Sequence, residues 1–222
     1  MTVELKTLKA LDYFANCSPA ELNEIKKFVI EQTVEKGETF IVEGDNCDFI
    51  HFIVAGTVKV YKTSTDGREQ ILHLQGPGGS IGDVSIYDDG PMAGSMQAMT
   101  PLSLYKIKKN DLKIILRNHP KVVLNALRTM SNRVRRDSSL VRDLSFTQVI
   151  GRLAKTLLKF AGEKDIVEPR LAQHDMAAMV GTTREVVNRS LRIMEEKGAI
   201  RIERHGIIII DKEALEKMVE SF

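Results

Sequence analysis

The sequence predicts an α+β fold in three parts: a β-roll, one long helix, and a small helical domain carrying a terminal hairpin. Three observations carry this. Between Val34 and Lys108, glycines at 37, 44, 56, 67, 76, 78, 79, 82, 90 and 94 separate short stretches rich in Val, Ile and Phe, the pattern of an all-β roll or barrel. After His119-Pro120, apolar residues recur alternately three and four positions apart for more than twenty residues. From Leu171 onward, two sided helical segments meet at Val180-Gly181-Thr182 and lead into the hairpin-like AIRIERHGIIIID.

Composition bounds the rest. A chain of 222 residues has room for two domains, and 43% hydrophobic with 28% charged residues excludes a disordered or fibrous chain. The formal net charge of +2 does not announce a nucleic-acid binder, so any such activity must arise from local placement. No apolar run is long enough to span a bilayer, and the acidic, lysine-bearing N-terminus lacks a signal-peptide pattern. Cys17 and Cys47 do not make a disulfide framework. A cytoplasmic protein without a membrane partner is expected.

Residues 1–30 read as helical. Leu5, Leu8, Leu11 and Phe14 share a face, and Ser18-Pro19-Ala20-Glu21 forms a capping box with proline at the first helical position. Cys17 reads as a buried or incidental thiol, since nothing cationic flanks it closely. In the roll, Ile50, Phe52 and Val54 alternate with His51, Ile53 and Ala55, and Val58 and Val60 alternate with Lys59 and Tyr61. Asp66-Gly67 signals a hairpin. The stretch Gly76 to Gly94 breaks the strand pattern, and there the chain either turns corners or lets a ligand approach the backbone.

A short helix over Asn110–Asn118 is stopped by His119-Pro120. The long helix that follows, to about Leu144, would span about 36 Å. Val123, Leu127, Met130, Val134, Asp137, Val141 and Leu144 form a heptad seam with one polar intruder, Asp137, and such a narrow stripe usually meets a copy of itself. Val122, Leu124, Ala126 and Leu140 could instead widen it to an ordinary core face. Thr147–Ala161 reads as a further helix with Val149, Ile150, Leu153, Leu157 and Phe160 inward and Gly162 as its stop. The domains expected are 1–120, 121–145 as long helix and hinge, and 146–222.

In LAQHDMAAMVGTTREVVNRSLRIMEEK, Ala177 lies four residues before Gly181 and Val187 six after it, which lets two helices cross closely, as in a helix-turn-helix. Val187, Leu191 and Met194 face inward in the second helix, Glu185, Asn188, Arg189 and Arg192 face outward, and Thr183 is placed to cap it. Arg suits guanine, Asn adenine, and Glu the cytosine amino group in a major groove. The bland alternative is a solvated amphipathic helix. The hairpin that follows, turning at His205-Gly206, reads as a wing and favours the nucleic-acid reading.

With Ser80-Ile81-Gly82-Asp83, the joint Asp143-Leu144-Ser145-Phe146, the opening Gly151-Arg152-Leu153-Ala154 and the corner Val180-Gly181-Thr182-Thr183-Arg184-Glu185, the chain resembles the Crp/Fnr family of bacterial transcription factors over nearly its whole length. The resemblance implies a cyclic-nucleotide-binding-like β-roll (a double-stranded jelly roll) that senses an effector, a dimerising helix, and a winged helix-turn-helix that reads a palindromic operator. The implied partners are double-stranded DNA, a second copy of the chain, a small-molecule effector and, for an activator, RNA polymerase. Arg184, Glu185 and Arg189 match base-reading places of the cyclic-AMP receptor branch, which implies a half-site similar to TGTGA. Asn188 replaces a small residue of that branch, so one base preference is expected to differ, and Ser190 stands where the family usually has an aliphatic. Thr183 and His205 match phosphate-contacting places.

The sensing half departs from that branch. The family's cassette follows Gly-Glu, some ten residues on, with an Arg-Ser pair that holds the cyclic phosphate; here Gly82-Asp83 is followed by Ala93-Gly94. A buried phosphate would lack its charge-assisted partner, so cyclic AMP is disfavoured. The implied effector segment comprises Gly82, Asp83, Met92, Ala93 and Gly94, with Asp137 and Ser138 on the helix. An iron–sulfur cluster is disfavoured because only two cysteines are present. Haem- or redox-based gas sensing stays open through Cys47, His51, His73 and His119, each more often a surface or core residue. Met92, Met96 and Met99 read as adaptable core filling or as the wall of an apolar pocket. Two other classes remain: an enzyme using Asp83, His73 and Asp137, unsupported by any nucleophile elbow, zinc-helix motif or Walker loop, and a ligand-binding module acting through protein contacts.

Overall fold

The capping box at Ser18 organises the N-terminal segment of the computed structural model, which describes residues 3–46, 48–162, 165–167, 171–203 and 206–220. Ser18 Oγ accepts from the Glu21 N–H at 3.3 Å and Glu21 Oε2 accepts from the Ser18 N–H at 2.6 Å, starting α2 (Pro19–Lys26). Ahead of it lie α1 (Leu5–Lys9) and a 3-10 turn (Asp12–Phe14). The Tyr13 and Phe14 rings each lie 5.2 Å from Phe52, so the N-terminal segment is anchored on the roll by aromatic packing. Leu8, Leu11, Phe14 and Cys17 are buried.

Eight strands follow: β1 (Ile30–Val34), β2 (Thr39–Ile41), β3 (Phe49–Ala55), β4 (Val58–Thr63), β5 (Glu69–Gln75), β6 (Ser80–Ile81), β7 (Ser95–Ala98) and β8 (Leu102–Lys108). They form two four-stranded sheets, ordered β1-β8-β3-β6 and β2-β7-β4-β5. The Asp66-Gly67 turn forms as expected: Gly67 adopts φ +82°, its N–H donates to the Ser64 carbonyl, and the Ser64 N–H donates to that of Arg68. Inside the Gly76–Gly94 stretch the chain forms a short helix, α3 (Asp83–Tyr87), entered through Gly82 at φ +84°. Five residues are too few for a 3.6-residue period to show, so the sequence pattern registers only an interruption of the strands.

Helix α4 (Lys109–Asn118) ends at His119 and α5 (Pro120–Phe146) begins directly after it. Its 27 residues run about 40 Å. Two apolar faces emerge. Val122 and Ala126 are buried, and Asn125 Nδ2 donates to the Tyr13 carbonyl at 3.1 Å. The heptad seam is a separate face and stands open, with Leu127 57%, Val134 64% and Val141 64% exposed. The widened-stripe alternative therefore holds for Val122 and Ala126 but not for Leu124, which is exposed.

By its contacts the chain divides into two units, Met1–Lys62 with Leu72–Arg136, and Thr63–Ile71 with Asp137–Phe222. The second contains α6 (Val149–Lys159), α7 (Gln173–Val180), α8 (Arg184–Glu196), the antiparallel pair β9 (Ile200–Glu203) and β10 (Gly206–Ile209), and α9 (Lys212–Glu220). Its core gathers Leu153, Ala154, Leu157, Met176, Val180, Val187, Leu191, Met194, Leu215 and Met218. A side chain at Gly151 would stand 3.1 Å from the Met218 carbonyl, which shows how closely α6 and α9 approach. Helix α9 has no counterpart in the sequence reading, although Asp211 Oδ1 accepts from the Ala214 N–H at 3.0 Å as an N-cap. Gly206 belongs to β10, and the predicted turn residue His205 lies outside the described residues. Among the described residues, no helix is long and apolar enough to cross a membrane.

Candidate nucleic-acid interface and effector segment

Helix α7 ends at Val180 and Gly181 takes φ +66° as its C-cap, turning the chain into α8. That left-handed conformation is what favours glycine here; a Cβ would meet Leu144 Cδ2 at 2.8 Å, the movable end of a flexible side chain. Val187 and Met194 are fully buried and Leu191 nearly so. Arg184, Glu185, Arg189 and Arg192 are exposed on the other side, with Asn188 half-buried between the two. Ser190 is buried.

Thr183 occupies the N-cap position in an extended conformation, yet its side chain accepts no helix N–H. Its hydroxyl bonds the Glu185 carboxyl instead; with backbone hydrogen bonding and the charge of Arg184, this holds that carboxyl below its usual range. The predicted cap is thus corrected. Thr183 orients Glu185, because the nearby carboxylate is a stronger acceptor for the hydroxyl than any backbone group is a partner.

The corner is held from α6 by Arg152, whose role the sequence reading missed. Its Nε donates to the Val180 carbonyl at 2.7 Å and its Nη1 to the Thr147 carbonyl at 2.5 Å. Val180 O lies at the end of α7, where carbonyls lack helical partners, and the guanidinium supplies one. Burial draws the pKa of Arg152 down, with Asp143 opposing. An arginine next to a glycine in Gly151-Arg152 gives the only sequence hint, and two backbone acceptors far apart in the chain cannot be read from it.

In the implied effector segment the structure revises Asp83. Its side chain is fully buried and carries a bidentate ion pair with Arg133, with further hydrogen bonds from Tyr13 Oη at 3.1 Å and Ser80 Oγ at 2.9 Å. Asp83 is therefore an internal anchor between α3 and α5 rather than a group presented to a ligand, because an unpaired carboxylate at this depth would be costly. Arg133 also donates to the Ser80 carbonyl at 3.2 Å. Burial, and then the Asp83 charge, push the Tyr13 hydroxyl far above its usual pKa. Met92 and Gly94 are buried and Ala93 exposed, while Asp137 and Ser138 are exposed on α5. A side chain at Gly94 would lie 3.0 Å from the Tyr61 carbonyl. Among the described residues no cluster of His, Cys, Asp and Glu could hold a metal. His119 is buried, with Nε2 3.5 Å from Glu24. Cys47 lies outside the described residues.

A buttressed corner, an outward face of arginine and glutamate, and a two-stranded wing define a winged helix-turn-helix DNA-binding protein. Residues 151–218 match the Crp-like helix-turn-helix domain and residues 31–119 the cyclic nucleotide-binding domain. The CRP-like cAMP-activated global transcriptional regulator of Mycobacterium tuberculosis is 32% identical over 209 residues, covering 91% of this chain and 93% of that one. A Crp/Fnr-family regulator from Eubacterium rectale superposes with a TM-score of 0.80 at 21% identity, covering 96% of this chain and 99% of that one. The c-di-GMP-responsive global regulator CLP of Xanthomonas campestris shares the fold, with a TM-score of 0.78 at 17% identity over 86% of this chain and 99% of that one. The chain belongs to the Crp/Fnr family of bacterial transcription regulators, which are not enzymes.

Proposed function

We propose that the protein is an effector-responsive regulator that acts as a homodimer in the cytoplasm and reads a palindrome of TGTGA-like half-sites. The observation that carries this is the exposed face of α8, where Arg184, Glu185 and Arg189 project away from a core sealed by Val187, Leu191 and Met194. Arg184 and Arg189 are assigned to guanines and Glu185 to a cytosine of the opposite strand, with Asn188 modifying one base preference and Thr183 and His205 near phosphates. The open seam of α5 supports pairing through Leu127, Val134 and Val141, since such a line of apolar residues is the usual contact between two copies of a long helix.

The effector acts on the roll through Gly82–Gly94. Cyclic AMP is disfavoured: Ala93-Gly94 stands where a phosphate-binding pair would, and the guanidinium that reaches this segment, Arg133, is engaged by Asp83. An activator would also contact RNA polymerase. Electrophoretic shift on two inverted TGTGA half-sites, centred about one helical turn apart, tests the reading. Preference over a scrambled duplex and steep weakening with salt are expected; equal binding to both duplexes would refute sequence-specific recognition.

A further inference from the structure

A cavity of about 270 Å³ opens between the sheets of the roll. Its walls include Gln32 of β1, Phe40 and Ile41 of β2, and Phe49 and His51 of β3. Met92 closes one side, and the carboxylates Asp45 and Asp48 stand at the rim with Asn46. Two backbone hydrogen bonds fix this wall: the Gly44 N–H donates to the Met92 carbonyl and the Met92 N–H to that of Asp45, both at 2.9 Å. The volume is slightly below the roughly 300–1,000 Å³ of sites that take drug-sized ligands, and far above the ~30 Å³ of a single water.

Two polar atoms in this wall are buried without a partner, Gln32 Oε1 and His51 Nδ1. His51 is only 8% exposed, and its ring sits 6.1 Å from Phe40 and 6.3 Å from Phe49. Burial, and then the charge of Lys106, depress the His51 pKa to about 4. The imidazole is therefore neutral at pH 7 and carries one lone-pair nitrogen. Leaving such polar atoms unmet inside a protein costs free energy that a ligand's polar group recovers. An amide oxygen, a neutral imidazole and two carboxylates make a wall of acceptors, whereas an ammonium group has donors alone.

We propose that this cavity binds a small arylalkylammonium ion, whose N–H groups meet Gln32 Oε1 and the Asp45 and Asp48 carboxylates while its ring packs among Phe40, Ile41 and Met92. Lys106 Nζ lies 4.7 Å from the Phe49 ring centroid, so the ammonium is directed to the carboxylate side and away from Phe49. The ligand would touch Met92 and hence the segment Gly82–Gly94 from inside the roll. The proposal does not depend on the operator assigned above.

Benzylamine is the probe, titrated into the full chain by calorimetry and by ¹⁵N–¹H correlation of the His51 imidazole, with benzyl alcohol and benzoate as neutral and anionic counterparts. Saturable benzylamine binding is expected at millimolar or lower concentration, with a shift of the His51 nitrogen resonances, weaker binding of the alcohol and none of benzoate. Asp45→Asn with Asp48→Asn, both at exposed positions that leave the core intact, should weaken benzylamine roughly tenfold or more. Absence of saturation, equal binding of amine and alcohol, preference for benzoate, or an unchanged affinity in the double variant would each overturn the assignment.

Discussion

Replacing Arg152 by methionine keeps a long apolar stem but removes both hydrogen bonds to the corner. The bond to Val180 O is charge-assisted, and its acceptor belongs to a residue that is almost wholly buried. Hydrogen bonds from charged groups contribute about 1.5–3 kcal/mol each. The Thr147 carbonyl, in a half-buried residue, regains water when the guanidinium leaves, so the net loss is about 3 kcal/mol rather than the full pair. In a unit of this size 1 kcal/mol shifts the melting midpoint by roughly 4–8 °C, so R152M should lower that of the C-terminal unit by more than about 10 °C. Differential scanning calorimetry of the full chain resolves this, and R152K should recover part of the loss. Operator affinity at a temperature where R152M remains folded should also fall, because α8 loses its fixed angle to α7. A midpoint and affinity equal to those of the parent protein would refute the clamp.

Arg189→Ala should cost about 1–3 kcal/mol at the cognate operator; an equal loss on scrambled DNA would make Arg189 a phosphate contact. In the proposed dimer, Val134→Glu places a charge in the seam and forfeits at least about 1.5 kcal/mol of apolar burial from each copy, so sedimentation should show monomers at concentrations where the parent self-associates. Asp83→Asn leaves Arg133 without its charged partner and should destabilise the first unit by about 3–5 kcal/mol in urea unfolding; a change below 1 kcal/mol, roughly the scale of a surface pair, would deny the anchor role. The depressed folded-state pKa of His51, about 4 against an ordinary 6.5, means that its contribution is fully present above pH 6.5 and is lost as pH falls through 4, about 3 kcal/mol in all. His51→Phe should flatten stability across that window, and an unaltered pH profile would contradict the burial of a neutral imidazole.

Periodicity and punctuation revealed much of the architecture. The Ser18 cap, the Asp66-Gly67 turn, the proline break before α5 and the inward stripe Val187-Leu191-Met194 are local signals, each contained within one or two turns of chain. Contacts between distant segments left no such trace. Arg133 meets Asp83 across fifty positions and Arg152 meets Val180 across twenty-eight, and nothing in either neighbourhood names the other. Thr183 shows how two local rules compete: a hydroxyl at an N-cap position turned to a carboxylate two residues ahead. Helix α3 was hidden by its brevity, and α9 by lying beyond the motif that had already accounted for the C-terminal region.

Helix α5 has one side glued to its own roll through Val122 and Ala126, and another bare through Leu127, the very next residue, and Val134. A stiff rod of this kind cannot roll or slide beneath its parent without presenting a rotated strip to whatever lies outside. Any rearrangement around the Asp83 and Arg133 anchor is thus geared to this exposed strip with no loop in between to absorb it, and in the proposed dimer a substitution beneath the rod should be felt as a change in how two copies meet.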